Sequence, residues 1–415
     1  MKIFVSAAEA SSDTHAAEAL KHLFKLAEEA NLPLEVYGIG GPKCRAAGLR
    51  PLVSAESLLV MGFVEVLGKL TKIGKILRQL SEWALQEKPL VAVLCDYPDF
   101  HFRLAARMKN MGVATVCYIP PKIWVWRKGR LRKMAALYDR VLSILPFEEK
   151  TYAGSEVDFR YVGNPLMDEL PLGLTRDAAR KSFELPENLR TLLLMVGSRP
   201  AEYRYHLVPL IQAAVKVKAG LGGEPLQVLL PLPETADIPA FRLLLTEVMV
   251  QVPGARDLSL HLSQGDAWKA MKAADVAIIK SGTSSLEAAL LDLPHIVIYR
   301  AHPISEFIFR HIVRYYGSIS LTNLILDPEA RENEKVVPEF ILQNFTPEKM
   351  AIAALHLFRS PTAASEMRSA FALIRNILGE RSPSARVAEE ILDVALAELV
   401  RRREAMSEKE QLTSP

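Results

Sequence analysis

Between two apolar runs, VAII (Val276–Ile279) and HIVIYR (His295–Arg300), lies the stretch KSGTSSLEAALLDLP, Lys280–Pro294. The first run has the length of a buried strand. Small polar residues follow from Ser281 to Ser285, and then an apolar pattern at helical spacing stops at Pro294. Strand, helix and returning strand make a βαβ unit. Strands that are apolar at almost every position belong to parallel sheets covered on both faces.

The same rhythm runs in both directions from this unit. Downstream of DELPLGLTRDAARKSFELPENLR (Asp168–Arg190), the strand-like runs are TLLLMVGSR (Thr191–Arg199), LQVLLPLP (Leu226–Pro233), LSLHLS (Leu258–Ser263), VAII and HIVIYR. Upstream they are KIFVSA (Lys2–Ala7), LEVYGIGG (Leu34–Gly41), LVAVLCD (Leu90–Asp96), TVCYIP (Thr115–Pro120), RVLSILP (Arg140–Pro146) and FRYVGNP (Phe159–Pro165). Helix-length amphipathic segments separate them, beginning with Thr14–Ala30. The expected fold is therefore α/β, with two doubly wound, Rossmann-like domains facing a cleft. The expected boundaries are residues 1–168 for the first domain and 169–349 for the second. Residues 403–415 are read as a charged, frayed tail.

Composition narrows the function classes. The chain has 415 residues, half of them hydrophobic and a quarter charged, with a net charge of +3. That charge is too small to argue for nucleic acid, and no such partner is expected. Cys44, Cys95 and Cys117 stand singly, without CxxC spacing or a His cluster, so no structural zinc and a reducing compartment are expected. The start, MKIFVSAAEASSD, turns polar too early for a signal peptide, and no window approaches a spanning helix.

Loops at strand ends carry the candidate chemistry. Ser281, Gly282 and Thr283 lie where a strand ends and a helix begins, a place whose free amides favour an anion. Glu287, one turn in, is placed to accept from hydroxyls such as a ribose diol. The competing reading is a plain Ser/Thr helix cap. A second loop, VGSRPAE, offers Gly197, Ser198 and the guanidinium fork of Arg199. Two such loops in one sheet favour a nucleotide diphosphate, and neither fits GxGxxG or GxxxxGK[ST].

In the first domain, SAAEASSDTH clusters Glu9, Ser11, Ser12, Asp13 and His15, and CDYPDFH places Asp96, Asp99 and His101 after a strand. A carboxylate there suits a general base, although Asp13 and Asp96 could equally cap helices, and His101 reads as a packed histidine. YIPPKIWVWRKGRLRK (Tyr118–Lys133) combines Trp124, Trp126 and Arg127 with further basic residues, suited to a sugar and its phosphate or to a helix start with a buried Trp pair. SLLVMGFVEVLGKLTKIGKILRQL (Ser57–Leu80) is amphipathic. It reads either as a core-covering helix or as an interfacial segment meeting an anionic membrane surface through Phe63, Leu67, Leu70, Lys69 and Lys72.

Together these segments resemble the lipid-A-disaccharide synthase family, inverting glycosyltransferases of the GT-B fold. The resemblance rests on AEASSDTHAAEAL, GIGGPKCRAAGL, VMGFVEVLGKL, DYPDF, WVWRKGRLRKMA, ILPFEE, VGNPLMDE, GSRPAE, SGTSSLEAALLDLP and SLTNLI, in family order from Lys2 to about Glu348. It implies transfer from UDP-2,3-diacylglucosamine to 2,3-diacylglucosamine 1-phosphate, giving a β-1,6-linked disaccharide and UDP, with no metal and no cofactor. It assigns Asp96 as base, and Glu9, Ser11, Asp13, Trp124, Trp126 and Arg127 to the acceptor. Gly197, Ser198, Arg199, Ser281, Gly282, Thr283, Glu287 and Asn323 go to the donor. It further implies C-terminal helices, residues 350–402, crossing back to the first domain, and a cytoplasmic enzyme peripheral to the inner membrane; a homodimer is left open. The family's GExSGD, SPSVWAWR, GHP and SLPN read differently here at Ala8, Ser12, Lys122, Asn164 and Thr322. Those differences keep three alternatives in view: a divergent paralogue using another UDP-sugar or acceptor, a catalytically silent GT-B binding protein, and a UDP-sugar epimerase of similar build.

Overall fold

The computed structural model describes residues 1–55, 58, 66–126, 129–300, 317–379 and 382–413. Phe63 and Arg127 lie outside the described residues, as do the side chains of Leu67, Lys69, Leu70 and Trp126. The chain divides into two compact units, Met1–Asp168 with Arg381–Pro415, and Glu169–Glu380.

The first unit is built on a seven-stranded parallel sheet. Its strands are β1 (Lys2–Ala7), β2 (Glu35–Gly40), β3 (Arg50–Ser54), β4 (Val91–Cys95), β5 (Ala114–Tyr118), β6 (Arg140–Ser143) and β7 (Phe159–Tyr161), in the order β3-β2-β1-β4-β5-β6-β7. Alternate side chains of one strand enter different cores, as the two-residue period of a strand requires. Ile3, Val5 and Ala7 meet Val91, Val93 and Cys95 on one face, under the helices Ala10–Glu29 and Pro383–Thr413. Phe4, Ala92 and Leu94 face the other way, under Val66–Glu87 and Pro98–Asn110. Strands buried twice over are apolar throughout, which is the signal the sequence carried.

The second unit repeats the winding with six parallel strands: β8 (Arg190–Met195), β9 (Leu226–Leu232), β10 (Ser259–Gln264), β11 (Val276–Lys280), β12 (His295–Tyr299) and β13 (Glu339–Ile341). Their order is β10-β9-β8-β11-β12-β13. In each sheet the strand order reverses beside the first strand, between β1 and β4 and between β8 and β11. Such a reversal leaves a crevice at the carboxyl ends of the two strands, where doubly wound sheets bind ligands.

Two strands escaped the sequence reading. β3 is an edge strand carrying Pro51, which blurs the strand signal, and β13 is only three residues long. The C-terminal helices also differ from expectation. Pro347–Arg359 and Pro361–Leu378 stay in the second unit, where Met350, Ala354, Phe371 and Ile374 are buried. Only Pro383–Thr413 returns to the first unit. Val387, Ala388, Ile391 and Ala395 enter its core, and Arg140 reaches Glu390 and Asp393 at 2.7 Å each. Instead of fraying after Arg402, the chain continues this helix to Thr413.

The described part of Ser57–Leu80 also separates the two readings of that stretch. Ile76, Leu77 and Leu80 are buried in the core, while Lys72, Lys75 and Arg78 are exposed. From Ile76 onward the helix covers the sheet, so Leu77 does not belong to a lipid-facing stripe.

Candidate functional site

At the switch point of the first sheet, β4 ends and the chain turns through two consecutive left-handed residues, Asp96 (φ 55°) and Tyr97 (φ 54°). Neither is glycine, so the turn needs support from its surroundings. His101 provides it from the following helix. Its Nδ1 lies against the carbonyl oxygen of Asp96, and its Nε2 is 2.8 Å from the Ser6 hydroxyl. A carbonyl can only accept, so Nδ1 carries the proton and Nε2 accepts from Ser6. Burial pushes the imidazole down to about 4, which keeps it neutral. The half-buried Asp96 carboxylate takes a 2.8 Å bond from the Tyr97 amide and projects at the sheet's carboxyl edge. A carboxylate at such a strand end is a candidate general base.

Around it, Glu9 caps the helix after β1 in a reciprocal arrangement with Ser12, and Ser11 is exposed beside it. Asp13 is turned elsewhere. Its buried carboxylate receives the amides of Gly41 (2.7 Å), Lys43 (3.0 Å) and Cys44 (3.1 Å), so it closes the start of the helix Pro42–Ala46. Helix starts expose just such orphan donors. The indole of Trp124 donates to Glu148 at 3.1 Å and stands edge-on to Phe147. Glu148 is buried and also receives the Ser143 hydroxyl; burial raises its carboxyl to about 7. Asn164, where the family pattern has His, donates to the Ile144 carbonyl after β6 and accepts from the Leu166 amide of its own loop.

The second sheet has an equivalent switch point, where Ile279 of β11 pairs with Met195 of β8. After β8, Gly197 adopts φ 117°, which favours glycine, and an added Cβ would lie 2.3 Å from the Glu202 carboxylate. The amides of Ser198 and Arg199 are both engaged within the loop. They donate to Glu202 at 2.8 and 3.3 Å, whereas the Arg199 side chain is exposed. After β11, Gly282 caps the helix Thr283–Leu290, and open space lies where its Cβ would be. The Ser281 hydroxyl donates to the carbonyl of Ile319, and Thr322 donates to that of Ser285, stitching this loop to Ile319–Ile325. Glu287 is half-buried and oriented by Trp268, whose indole donates to it at 2.9 Å.

Asn323 has a different task from the one read for it. It is buried, donates to the Val337 carbonyl and to Glu339, and accepts from the Val337 amide. Both donors of its amide and one lone pair of its oxygen are engaged in holding the approach to β13.

Trp268, His206, Lys280 and Glu148 went unread as site residues. His206 is buried and fastens the ends of β8 and β12, donating to Val196 and accepting from the Arg300 amide. Nineteen residues separate Trp268 from Glu287, beyond any periodicity. Only Glu202 had a local signal, a Glu three residues after the helix cap. Among the described residues no group of three or more His, Cys, Asp or Glu could hold a metal ion, and no helix is long and apolar enough to cross a membrane.

Comparison with known proteins adds sequence to this geometry. The family model for lipid-A-disaccharide synthetase matches residues 3–388. A lipid-A-disaccharide synthase from Anaeromyxobacter sp. (strain K) is 37% identical over 393 residues, covering 95% of this chain and 97% of the relative. That of Myxococcus xanthus (strain DK1622) is 37% identical over 394 residues, with the same coverages. Among solved structures, the UDP-GlcNAc 2-epimerase from Neisseria meningitidis bound to UDP-GlcNAc superposes with a TM-score of 0.62. It is 13% identical and covers 95% of this chain and 100% of its own. A glycosyltransferase from Rickettsia africae gives 0.57 at 11% identity, covering 96% and 98%. At such identities these structures speak for the fold alone, a GT-B-like pair of parallel-sheet domains.

Proposed function

The chain belongs to the lipid-A-disaccharide synthase family, and from that membership we propose that it transfers 2,3-diacylglucosamine from its UDP carrier to 2,3-diacylglucosamine 1-phosphate. The 6-hydroxyl oxygen of the acceptor attacks the anomeric carbon in line, the bond from that carbon to the diphosphate breaks, and UDP leaves. Asp96 takes the hydroxyl proton. Configuration inverts because there is one displacement. The observation that carries this reading is Asp96 itself, a carboxylate on a left-handed turn whose backbone carbonyl His101 holds, at the switch point of a doubly wound sheet.

The acceptor belongs to the first unit, with Glu9, Ser11, Trp124, Trp126 and Arg127 around it. The donor belongs to the second. There Arg199 meets the diphosphate, Gly282 leaves room for its approach, and Glu287, oriented by Trp268, accepts from the ribose hydroxyls. Oriented backbone dipoles and a guanidinium stabilise the departing diphosphate. Asp13 and Asn323 shape the loops from behind.

Acylated substrates reside in a bilayer, so the enzyme docks reversibly on its anionic surface. The exposed Lys72, Lys75 and Arg78 supply the attraction, and the stretch containing Phe63, Leu67 and Leu70 supplies apolar contact. Incubating the purified protein with both acylated glucosamine substrates tests the reaction. Disaccharide and UDP should appear in equal amounts; interconverted UDP-sugar, or UDP binding without turnover, would overturn it.

A further inference from the structure

We propose that Lys280 supplies a second cationic contact to the diphosphate of the donor, beside Arg199, and that Glu202 holds it ready for that contact. The proposal rests on the donor reading above and adds a residue to it. Lys280 is the last residue of β11, next to the β8 end, and its side chain reaches across the switch point to the helix after β8.

Three donors converge on Glu202 at that spot. The Lys280 ammonium lies 2.7 Å from one carboxylate oxygen, and the Ser198 and Arg199 amides lie 2.8 and 3.3 Å from the other. Burial alone would raise the carboxyl, yet Lys280 and the amides hold it below its usual range. The place therefore favours negative charge, and a carboxylate already sits in it. A diphosphate arriving beside Arg199 would be repelled by that carboxylate unless a cation stood between them. Lys280 is that cation. Its flexible four-carbon stem lets the ammonium group share its three donors between Glu202 and a phosphate oxygen. The exposed ring of Tyr299, 5.8 Å from the ammonium group, steadies the charge from another side.

A double-mutant cycle with two ligands tests this. Calorimetry would measure UDP and uridine binding to the full chain and to Lys280→Gln, Glu202→Gln and the double variant. Lys280→Gln should weaken UDP at least about tenfold, the scale of one charge-assisted hydrogen bond, and leave uridine nearly unchanged. The double variant should remain weaker for UDP than Glu202→Gln by a similar factor. If the double variant matches Glu202→Gln, Lys280 merely neutralises its partner and the proposal fails while the donor site stands. If the unaltered protein binds UDP no better than uridine, the donor reading fails first. Lys280→Arg keeps charge and ion pair, so it should retain the UDP preference even if Lys280→Gln unfolds; loss of the preference in a folded Lys280→Arg would count against the proposal.

Discussion

His101 donates its Nδ1 proton to the backbone carbonyl of Asp96 and accepts at Nε2 from Ser6, so a neutral imidazole supports the left-handed turn that presents the candidate base. Asp96→Asn should keep the fold and the affinity for UDP while lowering turnover by roughly 10²–10⁴, the scale for losing a general base. His101→Phe keeps the ring volume but strands the Asp96 carbonyl. It should cost about 1–3 kcal/mol of stability and lower kcat with little change in the donor KM. Thermal melts and single-turnover rates check both; wild-type turnover in Asp96→Asn would remove Asp96 from the mechanism.

Acid stability of the first unit should reflect two groups of opposite sign. His101 titrates near 4 when folded, against an ordinary 6.5, so between these values the unfolded chain binds the extra proton and stability falls as pH falls. Glu148, raised from 4.5 to about 7, holds a proton the unfolded chain has lost, so its contribution is present at low pH and fades as pH rises toward 7. Between about 4.5 and 6.5 the two slopes, each about 1.4 kcal/mol per pH unit, oppose one another. Glu148→Gln should therefore make the loss of stability on acidification from 6.5 to 4.5 steeper than in the unaltered protein. Parallel curves of Tm against pH would refute the linkage.

On the donor side, Arg199→Ala should weaken UDP binding by about 1.5–3 kcal/mol through loss of a charge-assisted contact. Trp268→Phe removes the indole bond that orients Glu287 and should weaken UDP binding while leaving acceptor binding unchanged. Calorimetry of both variants with UDP and with the acceptor decides the matter. Unchanged UDP affinity in both would sink the assignment.

The proposed membrane docking should separate from folding within a single segment. Replacing Lys72, Lys75 and Arg78 by Gln should reduce sedimentation with anionic liposomes, each charge contributing about 1 kcal/mol at low salt, and leave the melting temperature nearly unchanged. Leu77→Glu places a charge in the core and should unfold the first unit instead. An unaltered protein that fails to sediment with such liposomes at low salt would end the docking idea.

The winding of both sheets could be read from residues alone, because a strand buried on two faces must be apolar along its whole length and a helix must interrupt each parallel return. The loops at the strand ends were legible for the same reason: Gly197, Arg199, Asp96 and Ser281 closely follow apolar runs. What each polar side chain does there was settled only when distant segments met. Asp13 closes a loop starting 28 residues away, Asn323 bonds Val337, and Glu202 fills its own loop's amides and pairs with Lys280. Burial demands a partner for every polar group, but the partner's identity depends on which chain segment packs alongside, and no local pattern encodes that. The return of the last helix follows the same logic. Its apolar face is written in the sequence, whereas the choice of unit was made by the complementary surface of the sheet and by Arg140, about 250 residues earlier.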